Sequence, residues 1–165
     1  MTDSIMLTTT IPASPKAIYD AWLDSRKHGD MTGGDASVDG RVGGLFTAWG
    51  DYIEGATREL VANQRIVQEW RTSEFPPNAP DSLVEITLEA VGGSCKLTLK
   101  HSKLPDGDGP KYTQGWEDYY FKPMKEYLAR FAQNDRKKPR EGTKPAKKGK
   151  AKAVPRRTRS SRKKS

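Results

Sequence analysis

Cysteine, histidine and long apolar runs are what this chain has least of. A single cysteine, Cys95, excludes an intramolecular disulfide. Two histidines, His28 and His101, cannot complete a Cys/His set at structural zinc spacing, so neither a metal site nor a cofactor is expected. No stretch approaches the roughly 18 to 20 apolar residues needed to span a bilayer as a helix. The start, MTDSIMLTTTIP, lacks the basic opening and continuous apolar core of a signal peptide. The expected location is cytoplasmic. Residues 136 to 165 lack aromatics altogether and hold one of the 21 acidic residues, against 15 of the 29 basic ones. That segment cannot bury enough apolar surface to offset its conformational entropy, and its composition predicts a disordered basic tail on a mildly acidic body, residues 1 to 135.

What is present in the body is a β-rich pattern closed by a helix. SIMLTTTI (4 to 11) has the β-branched content of a strand, and Pro12 ends it. SPKAIYDAWL (14 to 23) offers Ser14 as an N-cap, Pro15 at the first helical position, and Ile18 and Trp22 at helical spacing. Residues 24 to 34 suit a second short helix ending in glycine. Four β-type runs follow near 35 to 39, 45 to 49, 53 to 62 and 65 to 71, separated by Gly, Asp and Asn as an antiparallel meander requires. SLVEITLEAV (82 to 91) and SCKLTLKHS (94 to 102) each alternate apolar with polar residues, giving a hairpin with one dry face. From Thr113, Trp116, Tyr120, Met124, Tyr127, Leu128 and Phe131 recur at helical offsets, with Pro123 inside as an expected kink. The class is α+β, with an antiparallel sheet whose apolar face needs the last helix as its cover.

GGLFTAWGDYIEGATRELVANQRIVQEWR, the alternating hairpin and GWEDYYFKPMKEYL together resemble the C-terminal domain of the activators of heat-shock protein 90 ATPase. RIVQEWR (65 to 71) and QGWEDYYF (114 to 121) are the most specific pieces, and the resemblance covers about residues 5 to 131. It implies the START-like, Bet v 1-like (SRPBCC) helix-grip fold, a curved sheet wrapped around a long C-terminal helix about a cavity. It also implies a heat-shock chaperone or a small hydrophobic ligand as partner.

On that fold, Phe46, Leu60, Trp70, Ile86, Leu88, Leu97 and Leu99 of the sheet face Trp116, Tyr120 and Met124 of the helix. They are expected either to line a ligand cavity or simply to pack a core. His101 is in phase with Cys95, Leu97 and Leu99, which suits either an inward polar anchor, or a base with Tyr120 as donor in an enzyme of cyclase or hydrolase type, or a satisfied histidine at the sheet margin. Cys95 reads as a small buried hydrophobe and His28 as exposed, while Glu69, Arg71 and Glu74 read as a solvated sheet edge in preference to a partner-binding charge pattern. The glycines match neither GxxxxGK[ST] nor GxGxxG and read as turns. In the tail, Lys147, Lys148, Lys150, Lys152, Arg156, Arg157, Arg159, Arg162, Lys163 and Lys164 form a polycation suited to non-specific contact with DNA, RNA or another polyanion. Nucleoid or nuclear association through the tail follows as an expectation. The two function classes are thus a binding module and an enzyme using His101.

Overall fold

The chain begins in β1 (Thr2–Ile11), whose Ile5, Leu7 and Ile11 alternate against exposed Ser4, Met6 and Thr8. The computed structural model describes residues 2–137, with side chains through Arg130. Two short helices follow. In α1 (Pro15–Trp22) the Ser14 hydroxyl accepts a 3.1 Å bond from the Ala17 N–H, and Pro15 occupies the first turn where no donor is needed. Ser14→Ala is expected to destabilise the protein by about 1 kcal/mol in a urea titration, the ordinary worth of such a cap. In α2 (Ser25–Thr32) the Asp24 carboxylate caps the start, and Gly33 at φ 89° closes the end in the left-handed conformation.

The remaining strands are β2 (Ala36–Val38), β3 (Leu45–Ala48), β4 (Ile53–Val61), β5 (Arg65–Thr72), β6 (Ser82–Val91) and β7 (Ser94–Pro105). They form one antiparallel sheet in the order β1-β7-β6-β5-β4-β3-β2. Gly55 on β4 lies opposite Trp70 on β5, and a Cβ at Gly55 would sit 1.8 Å from the Glu69 carbonyl oxygen. Only glycine permits that approach of the two backbones. The sheet curves, and its inner face receives the C-terminal helices.

Helix begins at Gly109, four residues before the aromatic repeat predicts. α3 (Gly109–Trp116) passes into a π-helical turn (Glu117–Phe121) and then α4 (Lys122–Lys137). Pro123 explains the interruption. It has no N–H, and its ring would crowd the carbonyl four residues earlier in a regular α-helix; the wider turn, with Lys122 N–H bonded to Glu117 C=O, relieves both demands. Trp116, Tyr120, Phe121, Met124 and Leu128 stay buried against Ile86, Leu97 and Leu99. The compact body closes at Arg130. Arg136 and Lys137, the first two residues of the expected tail, end α4, and the rest of that tail, with the ten basic residues named above, lies outside the described residues.

Candidate functional site

A cavity of about 530 Å³ opens where the β3–β4 turn meets β5 and the α3–π junction. Trp49, Tyr52, Trp70, Tyr112, Trp116, Tyr119 and Tyr120 contribute rings to its wall, and Glu74, Lys111 and Asp118 are its charged residues. Among the expected cavity residues, Trp70, Trp116 and Tyr120 line it. Ile86, Leu88, Leu97, Leu99 and Met124 are instead closed into the core, as are Phe46 and His101, while Leu60 is half-buried against it. Period-two patterning finds which face is dry but not where the packing leaves space.

Local backbone geometry places the residues that hydrophobic periodicity does not find. Trp49 and Gly50 both have positive φ, 53° and 67°, in the turn between β3 and β4. A left-handed backbone is common for glycine and costly for tryptophan, so this turn holds Trp49 in a conformation it would not choose. Gly34 makes room for the ring: a Cβ there would lie 2.5 Å from Trp49 Cε3. Glu74, in the loop after β5, pairs with Lys111 of α3 and accepts a 3.0 Å bond from the Tyr52 hydroxyl. Its carboxyl is held below the usual range first by the lysine and then by the tyrosine. Burial and the bond to Glu74 raise the Tyr52 phenol.

Behind the cavity wall, His101 sits in a closed relay. Trp116 Nε1–H donates to His101 Nδ1 at 3.0 Å, which leaves the proton on Nε2 to be donated to Ser82 Oγ at 2.7 Å. The Ser82 hydroxyl in turn donates to the Trp70 carbonyl at 2.6 Å. Every donor hydrogen in that series has an acceptor and both ring nitrogens of His101 are engaged, and the imidazole is neutral, its pKa lowered by burial to about 3. The Ser82–His101 pair therefore resembles a nucleophile and base in distance only. Its base already accepts an indole proton, and its serine proton points at a backbone oxygen.

His28 corrects the sequence reading directly. It is 3% exposed, not solvated: Nδ1–H donates to the Trp22 carbonyl at 2.8 Å, and Nε2 accepts from the Tyr120 hydroxyl at 2.8 Å. Burial lowers its pKa, with the backbone bond acting against this. Burial likewise raises the Tyr120 phenol. The two groups named for the enzyme reading, His101 and Tyr120, thus make separate hydrogen bonds, one to Trp116 and Ser82 and the other to His28. Arg71 is also not a free edge charge, since it binds the carbonyls of Pro76 and Ala79 and the Asp81 carboxylate, stapling the loop after β5. Cys95 is fully buried, and burial raises its thiol pKa.

This fold, a curved sheet with its helix cover, has known relatives. The family described as Activator of Hsp90 ATPase homolog 1-like protein matches residues 12–129. The chain belongs to that family. The human Activator of 90 kDa heat shock protein ATPase homolog 1 is 25% identical over 125 residues, covering 76% of this chain and 37% of that protein. The chain therefore spans a little over a third of the length of this curated relative. Among solved structures, an HSP90 activator from Plasmodium falciparum superposes with a TM-score of 0.70 at 23% identity, over 76% of this chain and 96% of that one. A protein from Mesorhizobium loti gives 0.66 at 16% identity, over 78% and 98%. These two likenesses establish the fold.

Proposed function

We propose that the body is a non-catalytic binding module whose cavity takes a small, largely apolar ligand. The observation that carries this reading is the cavity itself: an aromatic-walled space of about 530 Å³, of the size and lining typical of small-molecule sites. Its neighbouring His and Ser are committed to structural hydrogen bonds, so the enzyme alternative with His101 as base has less support. Gly115 supplies the test. It lines the cavity, and a Cβ there would meet nothing within 4 Å, so a side chain can start from Gly115 into open space; Gly115→Leu is expected to occupy part of the cavity and improves helix propensity. The full chain is expected to enhance the fluorescence of N-phenyl-1-naphthylamine saturably at one site, and Gly115→Leu to weaken that binding at least about tenfold. Unchanged binding by the variant would mean the dye sits elsewhere and the cavity is not a ligand site.

Family membership favours a second, compatible reading, that this module contacts a heat-shock protein 90 chaperone. Co-elution of the purified chain with that chaperone, lost on competition with the human relative, is the expected result; independent elution counts against it. The tail adds a third element, a non-specific polyanion tether. If about half of its basic residues engage phosphates, DNA affinity should fall with a log–log salt slope of about −6, and deletion of residues 136 to 165 should abolish retention on DNA. Equal retention by the deleted chain contradicts the tether.

A further inference from the structure

We propose that the cavity takes organic ammonium ions, with the apolar body of the ligand on its buried aromatic floor and the cationic head at its rim, against the Asp118 carboxylate. This rests on the reading of the cavity as a ligand site and specifies its ligand class. Three observations carry it.

The first is the way burial divides the wall. Ile53, Trp70, Tyr112, Trp116 and Tyr120 are each at most 5% exposed, and they form the floor. Glu74, Lys111, Gln114, Asp118 and Tyr119 line the same space but are exposed, and they form the rim. A floor of rings and one isoleucine suits an apolar body. A charged head left at the rim keeps part of its hydration, so it avoids the desolvation cost that a charge driven down to the floor would meet.

The second is the charge balance of the rim. Lys111 and Glu74 form an ion pair and cancel. Asp118 has no such partner. Both of its oxygens accept from the Gln114 amide at 3.0 Å, which is neutral, and among the described residues no ion pair includes it. Lys122, four residues further on, makes none with it. The lining is therefore left with one net negative charge, and that charge is on Asp118.

The third is that the rim already holds an ammonium group in this manner. Lys111 Nζ is paired with Glu74 and stands over the Tyr112 ring, 5.1 Å from its centre, so it has a carboxylate on one side and an aromatic face on another. Asp118 and Tyr119 bring a second carboxylate and a second ring to the same rim, and no basic side chain among the described residues pairs with either. Ring quadrupole and carboxylate both attract a cation, and together they favour an ammonium over a neutral or anionic molecule of the same shape.

The experiment titrates three probes of one skeleton into the full chain by calorimetry, at neutral pH and low salt: 1-naphthylmethylammonium, 1-naphthalenemethanol and 1-naphthaleneacetate. The cation should bind about five- to tenfold tighter than the alcohol, the combined worth of one exposed ion pair and one cation–π contact, and the anion should bind weakest. Asp118→Asn, which keeps an oxygen for Gln114, should remove most of that advantage and leave the affinity for the alcohol unchanged. Glu117→Gln makes the same change of charge at an exposed neighbour outside the lining, and it should leave the order intact. In nitrogen-resolved spectra of the unmodified protein, the Gln114 side-chain amide signal should move with the cation and not with the alcohol, a readout that does not depend on how a variant folds. Equal affinities for cation and alcohol, an advantage undiminished by Asp118→Asn, or one that Glu117→Gln removes equally would overturn the inference. If 1-naphthalenemethanol still responds to Gly115→Leu, that failure is confined to the ligand class. If the alcohol is indifferent to Gly115→Leu, or no probe binds, the cavity reading falls as well.

Discussion

Trp116→Ala should lower stability by roughly 3 to 5 kcal/mol in a denaturant titration, the range for emptying a buried aromatic site. Trp116 is 2% exposed and stands among Trp22, Trp70 and Tyr120, with ring centroids at 6.3, 5.5 and 4.8 Å. Its removal does two things: it opens a void between helix and sheet, and it withdraws the proton that satisfies His101 Nδ1. Trp116→Phe separates them, because a ring remains and the donor is lost; it should cost about 1 to 3 kcal/mol. A near-neutral Trp116→Ala would mean that the helix docks through another face.

Acid should weaken the fold through the same relay. His101 has its folded pKa lowered to about 3 against 6.5 for the free side chain, so between those values the unfolded chain binds a proton that the folded one does not. The stabilisation is complete above pH 6.5 and is lost as pH falls towards 3. By pH 4.5 it should have diminished by about 2 to 3 kcal/mol from this group alone. His28, whose pKa burial also lowers, acts in the same direction. His101→Gln can still accept from Trp116 and donate to Ser82 but does not titrate. Urea unfolding at pH 7 and 4.5 should therefore show a smaller acid loss in the variant. Equal losses in the two proteins would mean that His101 is not buried neutral.

These two predictions depend on contacts that no periodicity displays, which marks where the sequence is legible. Strands β6 and β7 announce themselves because each has one dry face, and α1 and α2 because Ser14 and Gly33 have definite jobs at helix ends. The family resemblance rests on RIVQEWR and QGWEDYYF, and both lie within the matched residues 12–129. His28 is harder to read because α2 is mostly polar. Its signal is the spacing of His28, Met31 and Thr32 at offsets of three and four, which puts them on one buried face. Trp49, Tyr112 and Tyr119 escape detection for other reasons: Trp49 occupies a turn, Tyr119 lies off the stripe defined by Trp116, Tyr120 and Met124, and Tyr112, four residues before Trp116 on that stripe, precedes the expected helix start at Thr113. The cavity they help to line is a property of packing between elements, and strand alternation carries no information about it.

Native mass spectrometry of the purified full chain, set against its denatured mass, tests the central claim most directly. A binding module predicts a stoichiometric small-molecule adduct on the wild-type chain that is absent from Gly115→Leu. An identical adduct on both proteins, or a saturable ligand affinity indifferent to Gly115→Leu, would contradict the cavity as the binding site.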